Sequence, residues 1–170
     1  MPNVEIKAKV SNLSLLLERA EKLAGSEALV LKQHDTFYCT QKGRLKLRRL
    51  LDANGEGELI HYNRPDTEGP KLSQFEKVTI GAQSLNGLHD VLTAALGART
   101  DVRKVRRLFL VGQTRVHIDQ VEGLGDFMEL EVCLKEGQTV EEAKQVAQGL
   151  MDKLGIEKED LISGAYADFL

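Results

Sequence analysis

The chain has no tryptophan, 5% aromatic residues, three prolines and two cysteines in 170 residues. Each shortage excludes something. Cys39 and Cys133 stand far apart, so they make neither a disulfide framework nor a zinc pattern. They read as reduced core thiols of a cytosolic protein. With so few rings, a rich aromatic stacking pocket is disfavoured. No run approaches the roughly 18 apolar residues of a membrane span. The N-terminus lacks the basic-then-apolar pattern of a secretory signal. The expectation is a cytoplasmic protein with no membrane partner. A basic excess is missing too, since 23 Lys and Arg stand against 26 Asp and Glu, for a net charge of -3. That argues against a general nucleic-acid partner while leaving room for a local basic pocket. No linker, repeat or low-complexity stretch divides the chain, so residues 1–170 are expected to form a single domain.

What is present is alternation. Residues 3–10, 28–40, 43–51, 57–65, 73–80, 101–111, 113–121 and 126–135 carry strand-like patterns. "DANGE" lies between the third and fourth of these, and its Asn-Gly supplies the positive φ of a tight hairpin turn. Helical spacing appears after Ser11 or Asn12, with Leu15, Leu16, Ala20 and Leu23 on one stripe ending near Gly25. A second helix is expected from a Ser84 cap to Leu96, stopped by Gly97. A third runs from about 139 to 154, with Val140, Ala143, Val146, Ala147, Leu150 and Leu154 aligned. A short turn or helix closes the chain. Eight strands and three helices predict an antiparallel α+β domain, closed into a barrel.

The charges share that alternation. In "VEIKAKV", Glu5, Lys7 and Lys9 occupy one face and the apolar residues the other. "KGRLKLRRL" aligns Lys42, Arg44, Lys46 and Arg48. "TRVHID" aligns Arg115, His117 and Asp119, and "FMELEV" aligns Glu129 with Glu131. One such strand is an ordinary solvated face. Several together predict a barrel whose apolar faces point outward under helices. Their charged faces then converge on a water-filled lumen. Such a lumen suits a polyanion held with metal ions.

These segments resemble the CYTH domain family, also called triphosphate tunnel metalloenzymes, which includes class IV adenylyl cyclases and thiamine triphosphatases. The resemblance rests on "NVEIKAKV", "GRLKLR", "YNRPDTEGPKLSQF" and, most specifically, "VRKVRRLFLVGQTRVHIDQVEGLGDFMELEV". It covers nearly the whole chain. It implies an eight-stranded antiparallel tunnel wrapped by helices, a triphosphate in the lumen, and Mg²⁺ or Mn²⁺ as cofactor.

The same resemblance implies roles residue by residue. The family's Glu-x-Glu-x-Lys motif reads Asn3, Glu5 and Lys7, so its first glutamate is an asparagine, which offers a carbonyl oxygen but no charge. Glu5, Asp119, Glu129 and Glu131 become the metal-side carboxylates. Lys7, Lys9, Arg44, Lys46, Arg48, Arg64, Lys104, Arg106 and Arg115 become triphosphate contacts, with Glu5, Lys7 and Arg48 central to catalysis. Lys104 and Arg106 match a Lys-x-Arg strand whose facing rests on the resemblance, because Arg103 and Arg107 share the opposite face. Lys71 is expected in a loop over the tunnel mouth. His117 shares a face with Arg115 and Asp119, as a packed histidine, a base or a substrate contact.

The resemblance implies a small-molecule triphosphate partner and one of two reactions. Water attacking a terminal phosphorus makes a triphosphatase, the leading expectation. A ribose hydroxyl attacking the α-phosphorus of ATP makes an adenylyl cyclase. Both need in-line positioning and charge neutralisation above all. With Asn3 in the first motif position, a domain that binds without turnover is the non-enzymatic alternative. Monomer and homodimer are both compatible with the sequence.

Overall fold

Alternating apolar residues bury one face of each strand, and the first strand shows the rule. In β1 (Pro2–Lys9), Val4, Ile6 and Ala8 are wholly buried on one side while Asn3, Glu5 and Lys7 face the other. The computed structural model describes residues 2–52 and 54–170; Ala53 of the expected hairpin turn lies outside them. The chain continues through α1 (Leu13–Ala24), β2 (Leu29–Tyr38), β3 (Arg44–Leu50), β4 (Gly57–Asn63), β5 (Lys71–Ile80), α2 (Ala82–Leu96), β6 (Ala98–Val111), β7 (Thr114–Val121), β8 (Gly125–Cys133), α3 (Val140–Leu154) and a two-residue β9 (Leu161–Ile162). A 3₁₀ turn, Tyr166–Phe169, ends it.

The strands order as β5-β4-β3-β2-β6-β7-β8-β1, and β1 pairs back onto β5 to close an eight-stranded antiparallel barrel. Closure removes the open edges that would invite intermolecular pairing. β1 serves two partners on that side: Asn3 and Glu5 lie opposite Ser73 and Lys71 of β5, and Lys7 and Ala8 lie opposite Ile162 and Leu161 of β9. The short β9 did not stand out from the sequence, because two residues carry no periodicity. Lys71, expected in a loop, is the first residue of β5 and is buried; Cys39, expected in the core, is exposed, and Cys133 is half-buried.

The helices are set by local chemistry. Asn12 accepts a hydrogen bond from Leu15 N at 3.1 Å to start α1, and Gly25 in the left-handed region (φ 71°) ends it. Thr139 caps α3 by accepting from Glu142 N, with Glu141 and Glu142 favourably placed in its first turn. The second helix begins at Ala82 after Gly81, ahead of the expected Ser84 cap. Asn54 and Gly55 take positive φ in the β3–β4 hairpin, as their dipeptide predicts.

The core lies outside the barrel. α1 and α3 cover Val4, Ile6, Val116, Ile118, Met128, Leu130 and Val132 with Leu16, Ala20, Ala143, Ala147, Leu150 and Leu154. Leu85 of α2 packs on Tyr38 and Leu47 over the opposite wall. Each fully buried aliphatic side chain contributes roughly 1.5–3 kcal/mol of transfer free energy. The lumen is thereby released from carrying the apolar core and can hold charge.

One close approach fixes how α2 seats on the hairpin. A Cβ on Gly57 would fall 2.5 Å from Arg48 O and 2.5 Å from Leu85 Cδ2. Gly57→Ala is expected to cost about 2 kcal/mol through forced displacement. Gly87→Ala, on α2 with nothing within 4 Å, is expected to gain about 0.5–1 kcal/mol from helix propensity. Urea unfolding of the two variants checks the contrast; equal midpoints would contradict it.

Candidate functional site in the barrel lumen

The inward faces of all eight barrel strands enclose a cavity of about 280 Å³. Among the described residues, eight cationic side chains line it: Lys7, Lys46, Arg48, Arg64, Lys77, Lys104, Arg106 and Arg115. Five carboxylates accompany them: Glu5, Asp35, Glu58, Glu129 and Glu131. The wall therefore carries more positive than negative charge. In a desolvated space such an excess is costly unless an anion joins it.

Asp35 anchors one half. Arg48 donates to it twice, Nε to Oδ1 and Nη2 to Oδ2, both at 2.8 Å, and Lys104 Nζ donates to Oδ2 at 3.1 Å. Burial alone would raise the Asp35 pKa. Arg48, then Lys104 and Lys46, hold it well below the usual carboxylate range. Lys46 is left over. Its Nζ stands 3.8 Å from Asp35 Oδ2, too far for a hydrogen bond, and 5.1 Å from the centre of the Tyr62 ring. Burial and the neighbouring Arg48 push its pKa well below that of a free lysine.

Asp119 anchors the other half. Arg106 donates Nε to Oδ1 and Nη2 to Oδ2, each at 2.8 Å, and the Tyr166 hydroxyl donates to Oδ2 at 2.8 Å. Arg106 Nη2 also lies 3.6 Å from Glu129 Oε1, as does Lys7 Nζ. Burial lowers the Lys7 pKa to about 8, against the pull of Glu129. These bidentate pairs fix each guanidinium plane.

The C-terminal segment completes one end. Gly164 O accepts from Lys7 Nζ and from Arg64 Nη2, both at 3.1 Å. The Tyr166 ring sits under Lys7 Nζ at 4.2 Å and Lys104 Nζ at 5.4 Å. Tyr166 and Ala167 pack with Phe37, Tyr62, Val102 and Phe127 to cover this end. Asp168 accepts from Arg44 Nη1 and Nη2 at 3.0 and 2.7 Å and from Arg99 Nη2 at 2.8 Å.

Three carboxylates share the remaining wall. Glu5 lies opposite Glu131 across β1 and β8, and Glu129 is one inward position further along. Burial raises the Glu5 pKa, Arg64 opposes, and Glu129 and Glu131 raise it again. Arg64 pairs with Glu5, and Arg115 Nη1 reaches Glu131 Oε1 at 3.2 Å. His117 is buried with its Nε2 4.0 Å from Glu131 Oε1, and its Nδ1 has no partner among the described residues. Burial, then Arg106, lowers its pKa, with Glu131 opposing. Among the described residues, no three His, Cys, Asp or Glu side chains form a ready metal-ligand cluster. The donors are nonetheless hard oxygens of the type divalent cations take. The mutual repulsion around Glu5 is what a cation would relieve.

Of the residues expected from sequence, Glu5, Lys7, Lys46, Arg48, Arg64, Lys104, Arg106, Arg115, Glu129 and Glu131 are brought together on one cavity wall. Three are not. Lys9 is exposed at the end of β1, where the strand has passed the lumen. Arg44 points into an adjoining cavity of about 490 Å³ and is tied to Asp168. Asp119 is wholly buried behind Arg106, with both oxygens engaged by Arg106 and Tyr166. Here it positions a guanidinium. Asp35, Tyr62 and Tyr166 are lumenal residues that sequence reading missed. The signal for Asp35 was present: Gln33, Asp35 and Phe37 alternate in β2 as the charged residues do elsewhere. Tyr166 lies in an aperiodic tail and gave none.

A closed antiparallel barrel with a cation-rich lumen and helices outside defines the triphosphate tunnel architecture. The CYTH domain family model matches residues 1–166, and the chain belongs to that family, whose members depend on metal ions. A Methanocaldococcus jannaschii protein with a provisional adenylate cyclase name is 23% identical over 99% of this chain and 98% of its own. A conserved Pyrococcus furiosus protein of hypothetical status superposes with a TM-score of 0.84 at 21% identity, over 99% of both chains. A Vibrio parahaemolyticus structure, again provisionally named an adenylate cyclase, gives a TM-score of 0.78 at 19% identity, covering 98% of this chain and 95% of that one. At these identities the structural likenesses establish the fold.

The wall predicts a pH signature. Burial pushes the Lys104 pKa down to about 8, with Asp35 opposing and Arg106 and Arg48 assisting. Its folded value lies below its unfolded one. The buried ammonium therefore costs stability below about pH 8, and the cost fades as pH rises toward the unfolded value. Polyanion binding runs the other way, because it uses the charge. Wild type is expected to bind tripolyphosphate at least about tenfold more tightly than Lys104→Met at pH 7. The advantage should shrink between pH 8 and 10. Calorimetric titration of both proteins measures it, and a constant ratio would contradict it.

Proposed function

We propose that the lumen binds a triphosphate and that the protein hydrolyses a phosphoanhydride bond in it with a divalent metal ion. The observation that carries the reading is the desolvated cation excess around Lys46, Arg48, Lys104, Arg106 and Lys7. A triphosphate brings about three to four negative charges near neutral pH. Arg48 and Arg106 have their planes fixed by Asp35 and Asp119, so they offer oriented forks to phosphate oxygens. Lys46, with no hydrogen bond of its own among the described residues, is the wall group with most to gain. Lys7 and Arg64 would exchange the Gly164 carbonyl for phosphate oxygens or keep both.

Glu5, Glu129 and Glu131 would hold the metal, with Asn3, buried in the same wall, contributing at most a neutral oxygen. When bound, Mg²⁺ or Mn²⁺ neutralises phosphate charge and polarises the phosphorus under attack. The chain's own part is to fix the phosphates in line, desolvate them and exclude all but the attacking water. In-line positioning and charge neutralisation carry more of this step than acid–base chemistry does, and the water's proton would pass to a phosphate oxygen or a wall carboxylate.

A second reading is supported by the names of the relatives: cyclisation of ATP to cyclic AMP and pyrophosphate. It requires a ribose hydroxyl near the α-phosphate, which hydrolysis does not. The two separate by products. Phosphate release is measured from tripolyphosphate, ATP and thiamine triphosphate, with Mg²⁺, with Mn²⁺ and with EDTA, and cyclic AMP is followed in the ATP samples. The expected result is phosphate release that requires metal. Cyclic AMP with pyrophosphate would replace hydrolysis by cyclisation, and silence in all samples despite binding would leave a binding domain.

A further inference from the structure

The two ends of the lumen differ in kind. Phe37, Tyr62 and Tyr166 gather toward the end covered by the C-terminal segment. Followed the other way, the cationic strands turn to leucine. β2 runs back from Asp35 and Gln33 to Leu31 and Leu29, β3 runs on from Arg48 to Leu50, and β6 runs on from Arg106 to Leu108 and Leu110. These strands are neighbours in the barrel, and Leu29 lies directly opposite Leu108. Leu31, Leu50 and Leu108 line the cavity itself. Leu29 and Leu110 continue the same faces outward and are 58% and 61% exposed.

An apolar lip of five leucines is thus continuous with a pocket for polyanions. Exposed apolar surface that adjoins a binding pocket marks recognition more often than chance. A ligand with its phosphates among Arg48, Lys104 and Arg106 and its other end toward this mouth meets hydrocarbon on that wall. None of these five lip residues is aromatic, so a nucleobase would find no stacking partner among them.

Resting on the triphosphate reading above, we propose that the preferred ligand is an amphiphile: an alkyl or polyprenyl chain carrying a di- or triphosphate. The lumen takes the phosphates and Leu29, Leu31, Leu50, Leu108 and Leu110 take the first part of the chain. Gln33 stands between the two regions, and its buried Oε1 has no partner among the described residues.

The test is calorimetric titration of the full chain with tripolyphosphate, ATP and octyl triphosphate below its micellar concentration. Octyl triphosphate is expected to bind at least about tenfold more tightly than tripolyphosphate, since several methylenes leave water. The double variant Leu29→Asn/Leu110→Asn, at two exposed positions, is expected to bring the octyl-to-tripolyphosphate affinity ratio down severalfold. Tripolyphosphate binding with no gain from the octyl chain, or a gain that survives the double variant, overturns this inference alone. So does tighter binding of ATP than of octyl triphosphate. Wild-type self-association abolished by the double variant would assign the lip to a second copy of the chain and overturn it as well. Failure to bind tripolyphosphate at all would overturn the triphosphate reading together with this one.

Discussion

Lys46 carries a largely buried amino group without a hydrogen bond among the described residues, set beside Arg48, Lys104 and one already satisfied carboxylate, where burial and Arg48 disfavour its charged form. The rest of the structure is arranged around that imbalance. A barrel this size normally fills its interior with side chains. Here three helices carry the apolar packing on the outside, which lets the inward faces keep charge. Asp35 and Asp119 neutralise part of it and orient the arginines. They leave a remainder that a bound polyanion would offset. On the proposed reading, binding a polyanion would stabilise the fold.

The C-terminal segment belongs to the same economy of charge. Gly164 O is a neutral acceptor that meets two cations without cancelling either. Tyr166 lends a ring face to Lys7 and Lys104 and a hydroxyl to Asp119. Asp168 holds the tail down through Arg44 and Arg99. Covering one end of the lumen this way leaves the other end, with its leucines on the β2, β3 and β6 wall, as the contrasting one. Along the β2, β3 and β6 wall the lining runs from aromatic to cationic to aliphatic, which follows from which strand ends meet there.

Much of this was legible in the sequence, and the exceptions have physical causes. Alternation sorts each of the eight barrel strands into two faces, but the inward placement of Glu5, Lys7 and Arg48 was legible only from the recurrence of charged faces across several strands together with the family resemblance. Alternation does not say where a strand leaves the lumen. Lys9 and Arg44 share the right face but lie past its ends. It does not distinguish a carboxylate facing the cavity from one facing an arginine, as Asp119 shows. Lys71 was hidden by the glycine and prolines before it, which read as loop although β5 begins there. Tyr166 acts through a tail whose placement depends on tertiary contacts with Lys7, Arg64 and Arg44, and no local pattern encodes those.

The central claim is that the lumen's unpaired charge is maintained for a ligand and costs the empty protein stability. Thermal unfolding of wild type and Lys46→Met, with and without tripolyphosphate, tests it most directly. The account predicts that Lys46→Met alone unfolds no earlier than wild type, because it relieves repulsion from Arg48 and Lys104. It also predicts that tripolyphosphate raises the wild-type Tm far more than that of the variant. A variant that unfolds earlier than wild type and keeps the full tripolyphosphate shift would contradict it.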